Sequence, residues 1–264
     1  MLSGGTMKSL ILLLYIAGCA TFNPNEKEIN AMAFKAYSEV KQNSKISNNA
    51  EWKAMLDRVA TRIAQSSNED FKWEWILIEN PEQNAWCMPG GKIAVYTGIM
   101  PVLKTEAGLA AVLGHEVAHA TKRHGKERYA RAIKGNVAGL IIGGATAIGG
   151  QIFCKSKSCE LLTGLGGAAA GFAITFFDRK FSREEESQAD KVGQTYMAKA
   201  GYDPAEAIKV WERMAKEGGA QPPEFLSTHP SNKTRQENLK KWLPEADKYY
   251  KNANQTYGTG APIN

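Results

Sequence analysis

The sequence contains only four histidines and four cysteines in 264 residues. The cysteines form no paired CxxC units, which excludes a zinc knuckle. There is no RNP-like strand and no basic run interleaved with aromatics, so no nucleic-acid partner is expected. No internal repeat is present, and no apolar run reaches the roughly 20 residues of a membrane-spanning helix. Neither sign of charge gathers in a tail. Lys and Arg are spread along the chain and leave a net charge of +6, a mildly basic surface suited to anionic lipid or acidic partners.

What is present begins with composition: 43% hydrophobic and 23% charged residues are enough for the core of one large domain. The stretch MKSLILLLYIAGCATF, from Met7, has one lysine, an apolar run and then small residues up to Cys19. That is the layout of a secretory signal. Its IAGC resembles the bacterial lipobox, which implies that residues 1–18 are a lipoprotein signal peptide and that Cys19 is lipidated. Ala20 after the cysteine points, by the same resemblance, to the periplasmic side of an outer membrane. Cys154 and Cys159 flank the polar residues of CKSKSC and are expected to close a small disulfide loop in that oxidising compartment. Cys87, in an apolar context, reads as a buried thiol.

Residues 19–48 read as an N-terminal linker or helical segment that breaks at KQNSKISNNA. EWKAMLDRVATRIAQ, from Glu51, predicts an amphipathic helix, and FKWEWILIE (71–79) predicts a strand. NAWCMPGGKIAVYTG (84–98) reads as two short strands joined at Pro-Gly-Gly. Thr105 is placed to cap a helix that runs through LGHEVAHATKRHGKER. Segments 137–150 and 161–177 are rich in Gly and Ala and read as a buried helical hairpin in preference to a membrane-contacting one. Further helices are expected to about Trp242, with 49–245 as one domain and 246–264 as a polar, mobile tail.

His115 and His119 are four residues apart, only about 40° around a helix, so both imidazoles can reach one ion. Glu116 lies about 100° from His115, placed to take a proton from a water on that ion without binding it. His124 is nine residues from His115, which on a continuous helix is the opposite face, and reads as a surface histidine. A third ligand is needed, and FSREEESQADKVG (181–193) offers Glu184, Glu185 and Glu186. Glu186 is favoured because it stands four residues before Asp190, which can then accept a hydrogen bond from a liganding histidine.

Together GHEVAH, SREEESQADKVG, NAWCMPGGKIAVYTG and LSTHPSNKTRQENL resemble the zinc metallopeptidase family of the CAAX prenyl endopeptidase and HtpX, over about residues 50–243. The likeness is greatest to its periplasmic lipoprotein branch and to the related mitochondrial stress-activated inner-membrane protease. The resemblance implies an α+β, predominantly helical gluzincin fold with a small sheet over the HExxH helix. It implies one zinc ion on His115, His119 and Glu186, with Glu116 as general base. It places Asn84, Ala85 and Trp86 beside the substrate groove. His229, in STHP, is expected either to stabilise the oxyanion or to cap the metal and hold the enzyme latent, with Arg235 tying its loop down. The sequence departs from the family at Gln188, where an acidic residue is frequent. The expected activity is endopeptidase cleavage of misfolded or misassembled envelope proteins. A lipoprotein chaperone that keeps a capped zinc site is the alternative.

Overall fold

The computed structural model describes residues 25–132, 172–173, 175–177, 180–217, 225, 229 and 233–264. The expectations on residues 1–18, Cys19, the Cys154–Cys159 pair, segment 137–150 and most of 161–177 lie outside the described residues. Asparagine side chains start the first two helices: Asn25 accepts from the Glu28 amide to open α1 (Glu26–Asn43), and Asn49 from the Trp52 amide to open α2 (Ala50–Ser67). Strands β1 (Glu74–Ile78), β2 (Ala85–Met88) and β3 (Lys92–Tyr96) form one sheet in the order β1-β3-β2. β3 pairs parallel with β1 and antiparallel with β2. Gly90 and Gly91 turn the β2–β3 hairpin with φ of +78° and +82°, and a Cβ at Gly91 would meet the Trp73 ring at 2.6 Å.

Strand periodicity divides the core into two layers. Leu77, Ala85, Cys87, Ile93 and Val95 face α2 and the helix that follows the sheet. Ile76, Ile78, Trp86, Met88, Ala94 and Tyr96 face Ile29, Tyr37 and Val40 of α1. Both faces are therefore covered, which is why β2 and β3 are buried at every residue.

After the short α3 (Met100–Leu103) comes α4 (Glu106–Thr121), the central helix, buried along its whole length. It ends where Lys122 and Arg123 turn the chain, Arg123 with φ +60°, and a new helix α5 is described over residues 124–132. α6 (Arg183–Lys199) crosses α4 at two glycines. A Cβ on Gly114 would meet the Gly193 carbonyl oxygen at 2.6 Å, and one on Gly193 would meet the His115 amide nitrogen at 2.6 Å. This close approach carries the acids of α6 to the histidines of α4. α7 (Glu206–Glu217) and α8 (Lys233–Lys251) complete the described helices.

Residues 246–264 are not a mobile tail. α8 continues through Pro244 to Lys251, and the following residues form a strap over the start of α4. The Glu106 amide donates to the Ala261 carbonyl and the Ala107 amide to the Thr259 carbonyl, while Gly108 donates to the Thr105 hydroxyl. The first three amides of α4, which no helix can satisfy internally, thus all find acceptors. Backbone pairing of this kind leaves no mark in side-chain polarity, which is why the segment looked free. Ending the chain after Lys251 would strip two buried amides of their acceptors, at about 1–3 kcal/mol each. With about 2–4 °C per kcal/mol for a domain of this size, melting followed by circular dichroism should fall by about 4–24 °C.

Candidate metal centre

α4 presents His115 and His119 one turn apart with their Nε2 atoms 3.1 Å from each other. Three glutamates open α6, and the structure separates them. Glu184 is exposed. Glu185 closes a capping box with Ser182 and pairs with Arg131 at 2.7 Å. Glu186 is buried and faces the histidines, 3.4 Å from His119 Nε2 and 3.6 Å from His115 Nε2. His229 brings its Nδ1 to 2.9 Å from Glu186 Oε1 and 3.2 Å from His115 Nε2.

These four side chains each offer a ligand atom, and the atoms lie within 4.8 Å of one another. Ligand atoms about 2.0–2.2 Å from a tetrahedral ion stand about 3.3–3.6 Å apart. The five separations above, from 2.9 to 3.6 Å with Glu186 counted through either oxygen, are near those edges, so the nitrogen and oxygen donors could hold one metal ion.

The charge states of His115, His119 and Glu186 suit that task. Burial pushes His115 and His119 well below the ordinary histidine pKa, leaving both neutral with lone pairs to offer. Burial opposes the charge on Glu186, but His229 and Arg235 outweigh it and hold the carboxyl well below its usual range. For His229 burial favours the neutral ring, yet Glu186 and Glu116 prevail and raise its pKa. Asp190 Oδ1 lies 2.9 Å from His115 Nδ1, and Asp190 takes Arg235 as a fork, with Nε and Nη2 each at 2.6 Å. Arg235 also reaches Glu186 at 3.0 Å and the His229 carbonyl at 3.4 Å, joining the α6 acids to the His229 segment.

Glu116 sits to one side of the cluster. Its carboxylate accepts from the Cys87 backbone amide, and its Oε1 has no hydrogen-bond partner among the described residues. Burial pushes its pKa up to about 7, against the pull of His229. The donor from Cys87 shows how the sheet meets the site. Tyr96 donates to the Asn84 carbonyl, so in this register Ala85 and Cys87 turn their backbone groups away from β3, on the side of β2 that pairs with no other strand among the described residues. Asn84 is thus committed to the sheet. The Trp86 side chain lies in a cluster with Tyr37, Phe176 and Phe177 instead of lining an open groove. Of the expected Asn84–Trp86 stretch, Ala85 is the residue whose backbone groups turn away from β3, as those of Cys87 do, with the Cys87 amide on Glu116. Cys87 itself is the buried thiol its context indicated.

A model of peptidase family M48 matches residues 47–243. The chain belongs to peptidase family M48. The M48 chain is 39% identical over 194 residues to the mitochondrial metalloendopeptidase OMA1 of Schizosaccharomyces pombe, covering 72% of this chain and 53% of that one. It is 32% identical over 178 residues to OMA1 of Homo sapiens, covering 66% and 33%. It is 25% identical over 175 residues to the beta-barrel assembly-enhancing protease of Escherichia coli, covering 66% and 35%. The match spans about half the length of the yeast proteins and about a third of the human and bacterial ones. The M48 fold is the helical α+β gluzincin arrangement expected from the motifs, with three strands beside the HExxH helix. Among the described residues no helix is long and apolar enough to cross a membrane.

His124 is the correction at the M48 site. It is buried, not a surface residue, with Nδ1 2.9 Å from His119 Nδ1 and Nε2 2.7 Å from Gln188 Oε1. An opposite face follows only for one continuous helix, whereas α4 ends at Thr121 and left-handed Arg123 swings His124 back. A signal was present in TKRHG, since cations followed by glycine mark a helix C-terminus. Phe181, stacked on the His119 ring at 3.8 Å, carried no such signal.

Proposed function

We propose that this protein is a zinc-dependent endopeptidase acting on unfolded or misassembled proteins of the cell envelope, held at the membrane by lipid on Cys19. The carrying observation is the buried quartet of His115, His119, Glu186 and His229, with Glu116 beside it. His115, His119 and Glu186 would hold the zinc, which when bound supplies a Lewis acid that acidifies a water and polarises the scissile carbonyl. Glu116 takes the proton of the attacking water on its free oxygen and passes it to the leaving nitrogen. The Cys87 amide fixes the other side of that carboxylate. An extended substrate can pair with the outward groups of Ala85 and with the carbonyl of Cys87, whose amide is held by Glu116, which places its backbone alongside Glu116. Lipobox-like IAGC and the likeness to the bacterial assembly-enhancing protease support the envelope assignment.

His229 stands at the fourth corner of the quartet, with Nε2 3.4 Å from Glu116 Oε1. In this arrangement it caps the site and withholds the proton acceptor from substrate. Casein cleavage by the purified protein, compared with His229→Ala, tests both points. We expect the variant to be the faster enzyme. Zinc binding without cleavage in either protein would favour the chaperone reading. The pH profile gives a second check. The base works only when deprotonated, so kcat/KM should fall as pH drops through an acid limb no higher than about 7, the value set by burial of Glu116. A bound cation moves that limb lower. A limb well above neutral pH would exclude Glu116 as the base.

A further inference from the structure

We infer that His124 and Gln188 form a proton-ordering relay that fixes the tautomer of His119 and so presents its Nε2 lone pair to the metal. The inference rests on the zinc reading above and adds two residues to it. Only a lone pair can bind a metal, so a liganding His119 Nε2 requires the ring proton on Nδ1. That N–H needs an acceptor. The atom facing it, at 2.9 Å, is His124 Nδ1. His124 can accept there only if its own proton lies on Nε2, and that nitrogen faces Gln188 Oε1 at 2.7 Å. An amide oxygen accepts and never donates, so the orientation at Gln188 settles every proton back to the ligand.

A carboxylate or carbonyl is the ordinary partner of a metal-binding histidine. For His115 the carboxylate nearest that position is Asp190, with Oδ1 2.9 Å from Nδ1. His119 instead uses an imidazole, and the fold is built to hold it. Left-handed Arg123 places His124, and Arg123 is anchored by Glu69 at 2.7 Å and Glu26 at 3.0 Å. Phe181 fixes the face of the His119 ring while His124 fixes its edge. His124 and Gln188 are positioning residues: they act on the metal only through His119.

Zinc affinity of the full protein, measured by competition with a chelator of known strength, tests the relay apart from catalysis. His124→Leu removes the acceptor, and binding should weaken roughly 10–100-fold. His124→Asn returns an acceptor near the position of Nδ1 and should recover most of that loss. Gln188 is exposed and is not part of the buried core. Gln188→Met should therefore weaken binding and Gln188→Glu preserve it, even if His124→Leu fails to fold. Wild-type affinity in His124→Leu or in Gln188→Met, or an equal loss in His124→Leu and His124→Asn, would overturn the relay. A wild-type protein that binds no zinc at all would sink the metal reading itself, and the relay with it.

Discussion

Glu116→Gln should abolish measurable peptide cleavage while the protein keeps its full complement of zinc. The loss expected from removing a general base is roughly a hundred- to ten-thousand-fold in kcat. Glutamine matches glutamate in volume, and its carbonyl can still accept from the Cys87 amide, so the buried position should remain packed. What the amide cannot do is take a proton. Metal binding should be unaffected because the donor atoms of the quartet come from His115, His119, Glu186 and His229, not from residue 116. Paired assays of casein hydrolysis and zinc content read out both halves. Retained cleavage would show that the proton acceptor lies elsewhere, and lost zinc would show that Glu116 has a structural task at the site.

Glu186→Gln should have the opposite signature and lose the metal. Glu186 supplies the negative charge of the quartet, and His229 and Arg235 hold it ionised against the cost of burial. A neutral amide removes that charge from a site whose remaining donors are imidazoles. The fall in zinc affinity should exceed the roughly 10–100-fold that follows from losing a supporting hydrogen bond. Arg235 keeps its fork on Asp190, so the α6–α8 junction should survive and the fold with it. Melting curves with and without a chelator make the distinction. A ligand that binds only the folded state raises its stability, so the wild type should melt lower after chelation and Glu186→Gln should not change. A chelator-sensitive melt in the variant would mean that another acid holds the ion.

The parts of this site that could be read from sequence are those set by one helical turn. His115, Glu116 and His119 are local, and Glu186 was separable because Asp190 lies one turn further along the same helix. Even the distinction between Glu185 and Glu186 had a second signature, since Ser182 and Glu185 carry the spacing of a capping box. The hairpin was legible from its Pro-Gly-Gly turn and alternating apolar residues. The failures share a cause of another kind. His124 depends on left-handed Arg123: TKRHG hints that a helix ends there, but not that the chain swings back to His119. The strap over α4 is held by backbone groups that every sequence possesses. Trp86 was assigned to the groove by family likeness, while the strand's alternation turns its ring toward α1. The glycine pair at the α4–α6 crossing was also silent. Gly114 and Gly193 matter because they face each other across two helices distant in sequence.

Anomalous diffraction at the zinc edge, from crystals of the protein purified without chelator, puts the metal quartet to its most direct test. The predicted result is a single peak about 2.0–2.2 Å from Nε2 of His115, Nε2 of His119 and a carboxylate oxygen of Glu186. No peak, or a peak whose ligands leave out Glu186, would contradict it.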